Sequence, residues 1–191
     1  HIRSGQPPVL TFNYEMILNA KDFDRPVNYA LVRISDRRYH DIAHAGAETR
    51  HKSKEHPARP KRPIIIIDPR AGHGPGIGGS KRDSEVGMAL EHGHPVYFMI
   101  FYTEPLPRQN MADVVLAMEK FIEKVGELHP NADAPAIMGN CQAGWAAALA
   151  SADRPNIAGP LVLNGAPLSY WSGVAGVNPM RYKGGLVGGV W

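Results

Sequence analysis

The stretch PAIMGNCQAGWAAALA, from Pro135 to Ala150, decides how the rest of the chain is interpreted. A short apolar run ends at Gly139, the only cysteine follows at Cys141, and an alanine-rich segment comes next. This order predicts a strand, a tight turn and a helix. A nucleophile elbow needs small residues two positions before and two positions after the nucleophile, and Gly139 and Ala143 meet that need. We therefore predict that Cys141 is a nucleophile at the positive end of a helix, the alternative being a small buried cysteine in a turn.

The sequence on either side of this stretch predicts an α/β fold. Four consecutive isoleucines between Pro63 and Asp68 show no alternation, which is typical of a strand buried on both faces. A second apolar run spans 95–101, and apolar residues recur with helical period over 110–128. From residue 63 strands and helices alternate along the chain. This pattern indicates a mostly parallel sheet with helices on both faces.

The region before residue 63 has a different character. Residues 9–18 alternate between apolar and polar, and residues 27–34 are rich in β-formers, so the two segments predict an antiparallel hairpin. Residues 35–62 carry eight lysines and arginines against four acids and are interpreted as a solvated basic linker. We divide the chain into an N-terminal β-hairpin extension (1–34), this linker (35–62) and a partial α/β domain (63–191).

Composition limits the partners and the compartment. The net charge is +3, and the basic residues are concentrated in the linker rather than along a folded face, so nucleic-acid binding is not expected. No apolar run approaches the roughly 18 residues of a membrane span. His40 and His44 have a metal-binding spacing but no well-placed third ligand, so no metal site is predicted. The single cysteine favours a reducing, cytoplasmic environment. The oligomeric state stays open, with a homo-oligomer as one option.

Acyl transfer at Cys141 would also need donors for an oxyanion. In hydrolase-type sheets one donor is the backbone N–H after the nucleophile, here Gln142, and the other comes from the loop after an earlier strand. The loop after the isoleucine strand begins with Pro69, which has no N–H, so Arg70 and Ala71 are the candidate donors.

Three further side chains are candidates for substrate binding. His73 lies in the glycine-rich loop and could orient that loop or contact substrate; the alternative is an ordinary loop histidine. Tyr170 and Trp171 follow the last predicted strand and could line an acyl pocket; the alternative is core or interface packing.

The remaining members of a catalytic triad are not found in the chain. In this type of sheet the nucleophile is followed by an acid and then by a histidine. After Cys141 there is no histidine, and the only acid is Asp153, close to the predicted helix end. The chain also begins with His and stops in an apolar, glycine-rich segment. We therefore expect an incomplete domain whose catalytic Asp and His lie beyond Trp191; the alternative is an unconventional site.

A rival interpretation uses the glycine-rich loop. Gly74, Gly76 and Gly79 satisfy G-x-G-x-x-G between a strand and a helix, which is the fingerprint of dinucleotide binding. It would make the protein an NAD(P)-dependent oxidoreductase. The fingerprint begins six residues after Asp68, further than usual, and it leaves Cys141 without a role. A non-catalytic relative of the hydrolase fold is the third alternative.

The motif GNCQAG resembles the cysteine lipase box of poly(3-hydroxyalkanoate) synthases, which belong to the α/β-hydrolase superfamily. The stretches IIIIDPRAGHGPGIGGSKRDSEVG, HPVYFM, PLSYW and NPMRY resemble more closely a bacterial family often labelled polyhydroxyalkanoate synthetase-like, and NYEMIL and RPVNYALVRI match its region before the hydrolase domain. The resemblance implies an α/β-hydrolase-like acyltransferase or hydrolase without a cofactor. Its substrate would be a (hydroxy)acyl thioester, such as one linked to coenzyme A, or an ester. The box departs from the synthase form at Ala143, where a glycine is usual.

Overall fold

The computed structural model describes residues 10–35, 60–70, 76–79, 81 and 83–169. Within these residues six strands form a single sheet: β1 (Tyr14–Asn19), β2 (Tyr29–Ile34), β3 (Ile64–Ile67), β4 (Val96–Phe101), β5 (Ala136–Asn140) and β6 (Leu161–Asn164). A short 3-10 turn joins β1 to β2. The described helices are α1 (Glu85–Glu91), α2 (Met111–Leu128) and α3 (Gln142–Asp153).

The sheet has the strand order β1-β2-β4-β3-β5-β6. The four strands β4, β3, β5 and β6 are parallel to one another, which confirms the predicted mostly parallel sheet. The predicted antiparallel hairpin is also confirmed, as β1 and β2. It joins the same sheet as the rest, because β2 lies antiparallel to β4 with Tyr29 beside Phe101.

The central strand β3 shows why its sequence lacks alternation. Ile65 and Ile67 belong to a core cluster that includes Phe121 of α2, while Ile66 belongs to a second cluster with Val86 of α1. All three isoleucines are completely buried. Helices therefore cover both faces of the sheet, and a strand between two covered faces has no position for a polar side chain.

The helix limits follow from local capping. At the start of α2 the Asn110 side chain accepts from the Asp113 backbone N–H at 3.2 Å, and the Asp113 carboxylate accepts from the Asn110 N–H at 3.1 Å. The pair forms a capping box, which satisfies two donors at the helix end. Ser84 caps the start of helix α1, and Gly93, at φ +76°, follows its end.

The first predicted strand is only partly correct. It was expected to run from residue 9, but β1 begins at Tyr14, and a bulge interrupts its pairing between Met16 and Leu18. Because β1 lies at the edge of the sheet, Tyr14 and Met16 are about half exposed. Most of the basic linker, residues 36–59, lies outside the described residues. No helix in the described part of the chain has the length and apolar character that crossing a membrane requires.

Candidate active site

Cys141 occupies a one-residue turn between β5 and α3. Its backbone has φ +51° and ψ −122°, a combination that non-glycine residues rarely adopt. The Cys141 N–H donates to the Asn164 carbonyl at 3.0 Å, and the Cys141 carbonyl accepts from the Gly144 N–H at 3.0 Å. Both backbone polar groups are therefore held while the residue itself is exposed. The geometry is that of a nucleophile elbow.

Close backbone packing keeps this turn sharp. A Cβ atom added to Gly139 would lie 2.7 Å from the Gly144 Cα and 2.9 Å from the Ala143 carbonyl oxygen. A Cβ added to Gly144 would lie 2.3 Å from the Cβ of Ala166. Strand, helix and the segment after β6 thus meet with no room for a side chain at either glycine. The small residues of the motif are a steric requirement of the turn.

A polar network that the sequence did not predict lies beneath the elbow. The Asn140 amide nitrogen donates to both carboxylate oxygens of Glu85, at 3.0 and 2.8 Å. The Asn164 side chain in turn donates to the Asn140 amide oxygen at 2.9 Å. Burial raises the pKa of Glu85, and the hydrogen bond from Asn140 opposes that rise. The network connects α1 to the ends of β5 and β6, directly before Cys141.

The turn after β3 reaches the same edge of the sheet. Ile67 of β3 lies beside Gly139 of β5, so the residues that follow the two strands emerge next to each other. Arg70 has φ +67°, and its backbone N–H donates to Asp68 Oδ1 at 2.8 Å. The Phe101 N–H donates to the other Asp68 oxygen at 3.4 Å. Burial raises the pKa of Asp68, while these two donors and the Arg70 charge oppose that rise.

This geometry bears on the candidate oxyanion donors. The Arg70 backbone N–H is already bound to Asp68 in this structure, so it is not free for an oxyanion. Ala71, the other candidate of this loop, lies outside the described residues. Gln142 is the first residue of α3, and the first N–H groups of a helix have no acceptor within the helix.

The side chain of Arg70 extends over aromatic rings from three distant elements. Its guanidinium carbon lies 4.6 Å from the ring centroid of Trp145, 5.4 Å from that of Tyr29 and 5.9 Å from that of Phe101. Trp145 in turn donates from its indole nitrogen to the Gln142 side chain. Burial raises the pKa of Tyr29 to about 12, and the nearby Arg70 charge opposes the shift. We call Tyr29, Phe101 and Trp145 the aromatic cage.

Several predicted site residues are not brought to Cys141 by the described structure. His73, Tyr170 and Trp171 lie outside the described residues. Asp153 is the last residue of α3, and a helix of 12 residues places it about 18 Å from the elbow. In the described part of the chain Cys141 is thus the candidate nucleophile and Gln142 a candidate donor, and Asp153 is too far from the elbow to serve as the acid of a triad. The described residues also contain no group of three or more side chains that could hold a metal ion.

The dinucleotide interpretation is not supported at the helix that it requires. The first three backbone N–H groups of α1 already have acceptors: Glu85 N with the Gly76 carbonyl at 2.8 Å, Val86 N with the Ile77 carbonyl at 3.0 Å and Gly87 N with Ser84 Oγ at 3.2 Å. A bound pyrophosphate would need those donors. Two of these acceptors are carbonyl groups of Gly76 and Ile77, in the described part of the glycine-rich segment, so they take donors that a phosphate would need.

Comparison with solved structures finds α/β hydrolases. MGS-MChE2, from a metagenome of lagoon sediments at Mar Chica, Morocco, is 21% identical, with a TM-score of 0.43, covering 61% of this chain and 52% of that one. MGS-M1, from a Medee basin deep-sea metagenome, is 18% identical, with a TM-score of 0.39, covering 79% and 55%. At these TM-scores the similarity alone does not assign the fold. The strand order and the elbow are the features that make the described residues an α/β-hydrolase-like partial domain, as predicted.

A much stronger similarity is found in sequence. The chain is 46% identical over 192 residues to a Rhizobium meliloti protein described as "Uncharacterized protein in ackA 5'region". The match covers 100% of this chain and 24% of that protein, so the chain spans about a quarter of its curated relative. A family match extends over residues 1–191, and the chain therefore belongs to the family described as "Protein of unknown function (DUF3141)".

Proposed function

We propose that this chain carries the nucleophile of an acyl-transfer enzyme, in which Cys141 forms a covalent acyl-thioester. The observation that best supports this proposal is that Cys141 is exposed and has φ +51° between β5 and α3. Such a backbone conformation costs about 1–3 kcal/mol and persists only where the surroundings enforce it, as the contact between Gly139 and Gly144 does here. A cysteine that only filled space would need neither the strain nor the exposure.

The proposed chemistry begins with attack of the Cys141 thiolate on the acyl carbonyl carbon. The tetrahedral oxyanion accepts hydrogen bonds from the Gln142 N–H and from the loop after β3, where Ala71 is preferred because the Arg70 N–H is bound to Asp68. Collapse of the intermediate breaks the bond to the leaving group, which departs as a thiolate or alkoxide and takes up a proton, and the acyl group stays on the Cys141 sulfur. A hydroxyl group or water then attacks this thioester and regenerates Cys141.

The residues that transfer protons in these steps are proposed to lie beyond residue 191. His73, Tyr170 and Trp171 remain proposed contacts to the substrate. The resemblance to polyhydroxyalkanoate synthases supports a (hydroxy)acyl thioester, with coenzyme A as one carrier. Ala143 departs from the synthase box, so an esterase or thioesterase of the same fold is the second form of this proposal. The cytoplasm is the proposed location, because the chain has one free cysteine.

Covalent capture tests the proposal. The complete protein is incubated with 3-hydroxybutyryl-coenzyme A and, separately, with p-nitrophenyl butyrate, then quenched in acid and mapped by peptide mass spectrometry. We expect the acyl mass on the peptide that contains Cys141 and no adduct in Cys141→Ala. The matched control is Ser151→Ala, near the far end of the same helix, which should acylate like the wild type.

Two outcomes would overturn the assignment. One is the absence of an adduct with both substrates under conditions in which they are consumed. The other is undiminished turnover by Cys141→Ala. The products separate the two forms of the proposal: a ladder of ester-linked oligomers supports polymerisation, and free hydroxyacid alone supports hydrolysis.

A further inference from the structure

The Arg70 side chain has hydrogen-bonding capacity that the described residues do not use. Its Nε and Nη2 atoms are shielded from solvent and have no hydrogen-bond partner in the described part of the structure. The Tyr29 hydroxyl is close enough that the Arg70 charge and a loose hydrogen-bonding contact with Arg70 both oppose the rise in its pKa, yet the two groups complete no hydrogen bond of good geometry with each other. Leaving buried donors unsatisfied destabilises a protein, and so does a positive φ at a residue other than glycine. Arg70 has both of these destabilising features, and such a combination is typical of a residue that binds a ligand.

The two unsatisfied atoms have a specific geometry. In a guanidinium group Nε–H and one Nη–H point in the same direction along one edge of the plane. Such an edge forms a fork that matches two oxygens of a carboxylate or a phosphate. Nε and Nη2 are the nitrogens of that edge, and both lack a partner among the described residues.

In the described part of the structure the charge of Arg70 is met by aromatic rings and, at longer range, by Asp68, where it opposes the burial-driven rise in pKa, but not by a direct ion pair. The aromatic cage supplies neutral rings, which attract a cation without satisfying its N–H groups. Among the described residues no carboxylate forms an ion pair with Arg70. The closest acid along the chain, Asp68, instead accepts from the backbone N–H groups of Arg70 and Phe101. A positive group in this setting is a receptor for an anion.

The position of Arg70 relates it to the proposed nucleophile. Its guanidinium stacks on Trp145, which lies one helical turn after Cys141 and contacts Gln142, the proposed oxyanion donor. We propose that Arg70 binds an anionic group of the substrate, a carboxylate on the acyl chain or a phosphate on its carrier. This inference rests on the proposed function and adds the charge class of the substrate.

Paired substrates distinguish the two sources of the anion. On the acyl side, p-nitrophenyl hemisuccinate is compared with p-nitrophenyl butyrate, which carries a methyl group in place of the carboxylate. On the carrier side, butyryl-coenzyme A is compared with butyryl-N-acetylcysteamine, which lacks the phosphates. Wild-type complete protein, Arg70→Met and Arg70→Lys are measured with all four, and circular dichroism verifies that each variant is folded.

Arg70→Met should lower kcat/KM about tenfold to a hundredfold for the anionic member of one pair, and by less than about threefold for its neutral partner. The pair that responds identifies the source of the anion. Arg70→Lys keeps the charge but loses the fork, so its kcat/KM should be intermediate. An equal loss on all four substrates would overturn the proposal and assign Arg70 to holding the loop against α3. No change on any of them would also overturn it.

A binding measurement separates this inference from the proposed function. Calorimetric titration of Cys141→Ala with succinate and with inorganic phosphate needs no acyl transfer. If Cys141→Ala binds either probe and the double variant with Arg70→Met does not, the result supports the anion site, even if no substrate ever acylates Cys141. Binding that is unaffected by Arg70→Met, or the absence of binding to both probes, would refute it.

Discussion

Two turns follow neighbouring central strands of this sheet, and they are built by different means. Each contains a non-glycine residue at positive φ, Cys141 after β5 and Arg70 after β3. The turn at Cys141 is held by contact between Gly139 and Gly144, with no space for side chains. The turn at Arg70 is held by the buried carboxylate of Asp68, which accepts a backbone N–H. The first should therefore be sensitive to added volume, and the second to the loss of a polar group.

The largest expected effect is at the elbow. In Gly139→Ala the new methyl group would lie 2.7 Å from a backbone Cα atom, which cannot move without displacing the helix. We expect the free energy of unfolding to fall by about 3 kcal/mol or more, with loss of acylation at Cys141. Urea denaturation of the complete protein and the mass of the Cys141 peptide measure both effects.

Gly126→Ala is the matched control for this substitution. Gly126 lies inside α2, and an added Cβ would have no atom within 4 Å. We expect it to stabilise the protein by about 0.5–1 kcal/mol, because alanine is the better helix former. Equal destabilisation by both variants would show that the tight contact at the elbow has no special role.

A smaller effect is expected at the other turn. Asp68→Ala would remove the acceptor of the Arg70 and Phe101 N–H groups, one of which lies at 2.8 Å. We expect a loss of about 2 kcal/mol, because two donors in a largely buried site lose their partner. Asp68→Asn keeps one amide oxygen for Arg70 and should be less destabilising. If urea denaturation shows both variants to be as stable as the wild type, the carboxylate does not hold the turn.

The smallest expected effect concerns pH and the network beneath the elbow. Burial raises the pKa of Glu85, so between its ordinary and raised pKa the folded protein binds more protons than the unfolded chain. The free energy of unfolding therefore falls as pH rises through this window. Glu85→Gln cannot titrate and keeps an oxygen to accept from Asn140.

Urea denaturation at pH 7, 6 and 5 tests this dependence. Relative to Glu85→Gln, the wild type should become more stable as the pH is lowered from 7 to 5. The contribution of Asp68 is present in both proteins and cancels in the comparison. A stability difference that does not change with pH would contradict a buried, titrating Glu85.

Features set by neighbouring residues could be predicted from the sequence. The isoleucine strand, the helix with apolar period over 110–128 and the elbow at Cys141 all depend on short-range patterns, and the structure contains each of them. The position of the hairpin in the sheet could not be predicted. It depends on which strand lies beside β2, and no local sequence pattern specifies that this strand is β4.

The parts of the site that the sequence did not predict likewise depend on contacts between residues far apart in the chain. Tyr29, Phe101 and Trp145 meet around Arg70 only after β2, β4 and α3 have assembled. Glu85 and Asn140 are likewise 55 residues apart in the chain. The sequence around Arg70 and around Asn140 contains no local pattern that predicts such contacts. The glycine spacing after β3 did carry a pattern, and it was misleading, since the carbonyl groups of Gly76 and Ile77 accept from the first N–H groups of α1.

The pairing of β2 with β4 has a consequence for the order in which the chain folds during synthesis. Tyr29 pairs with Phe101, so the inner edge of the hairpin waits for a partner until about 70 further residues have been added, an interval of roughly 4–14 s at ribosomal rates. An open strand edge is a template for pairing with other chains. The hairpin is synthesised before β4, yet its inner edge is paired only when β4 has left the ribosome, and aggregation competes with folding during that interval.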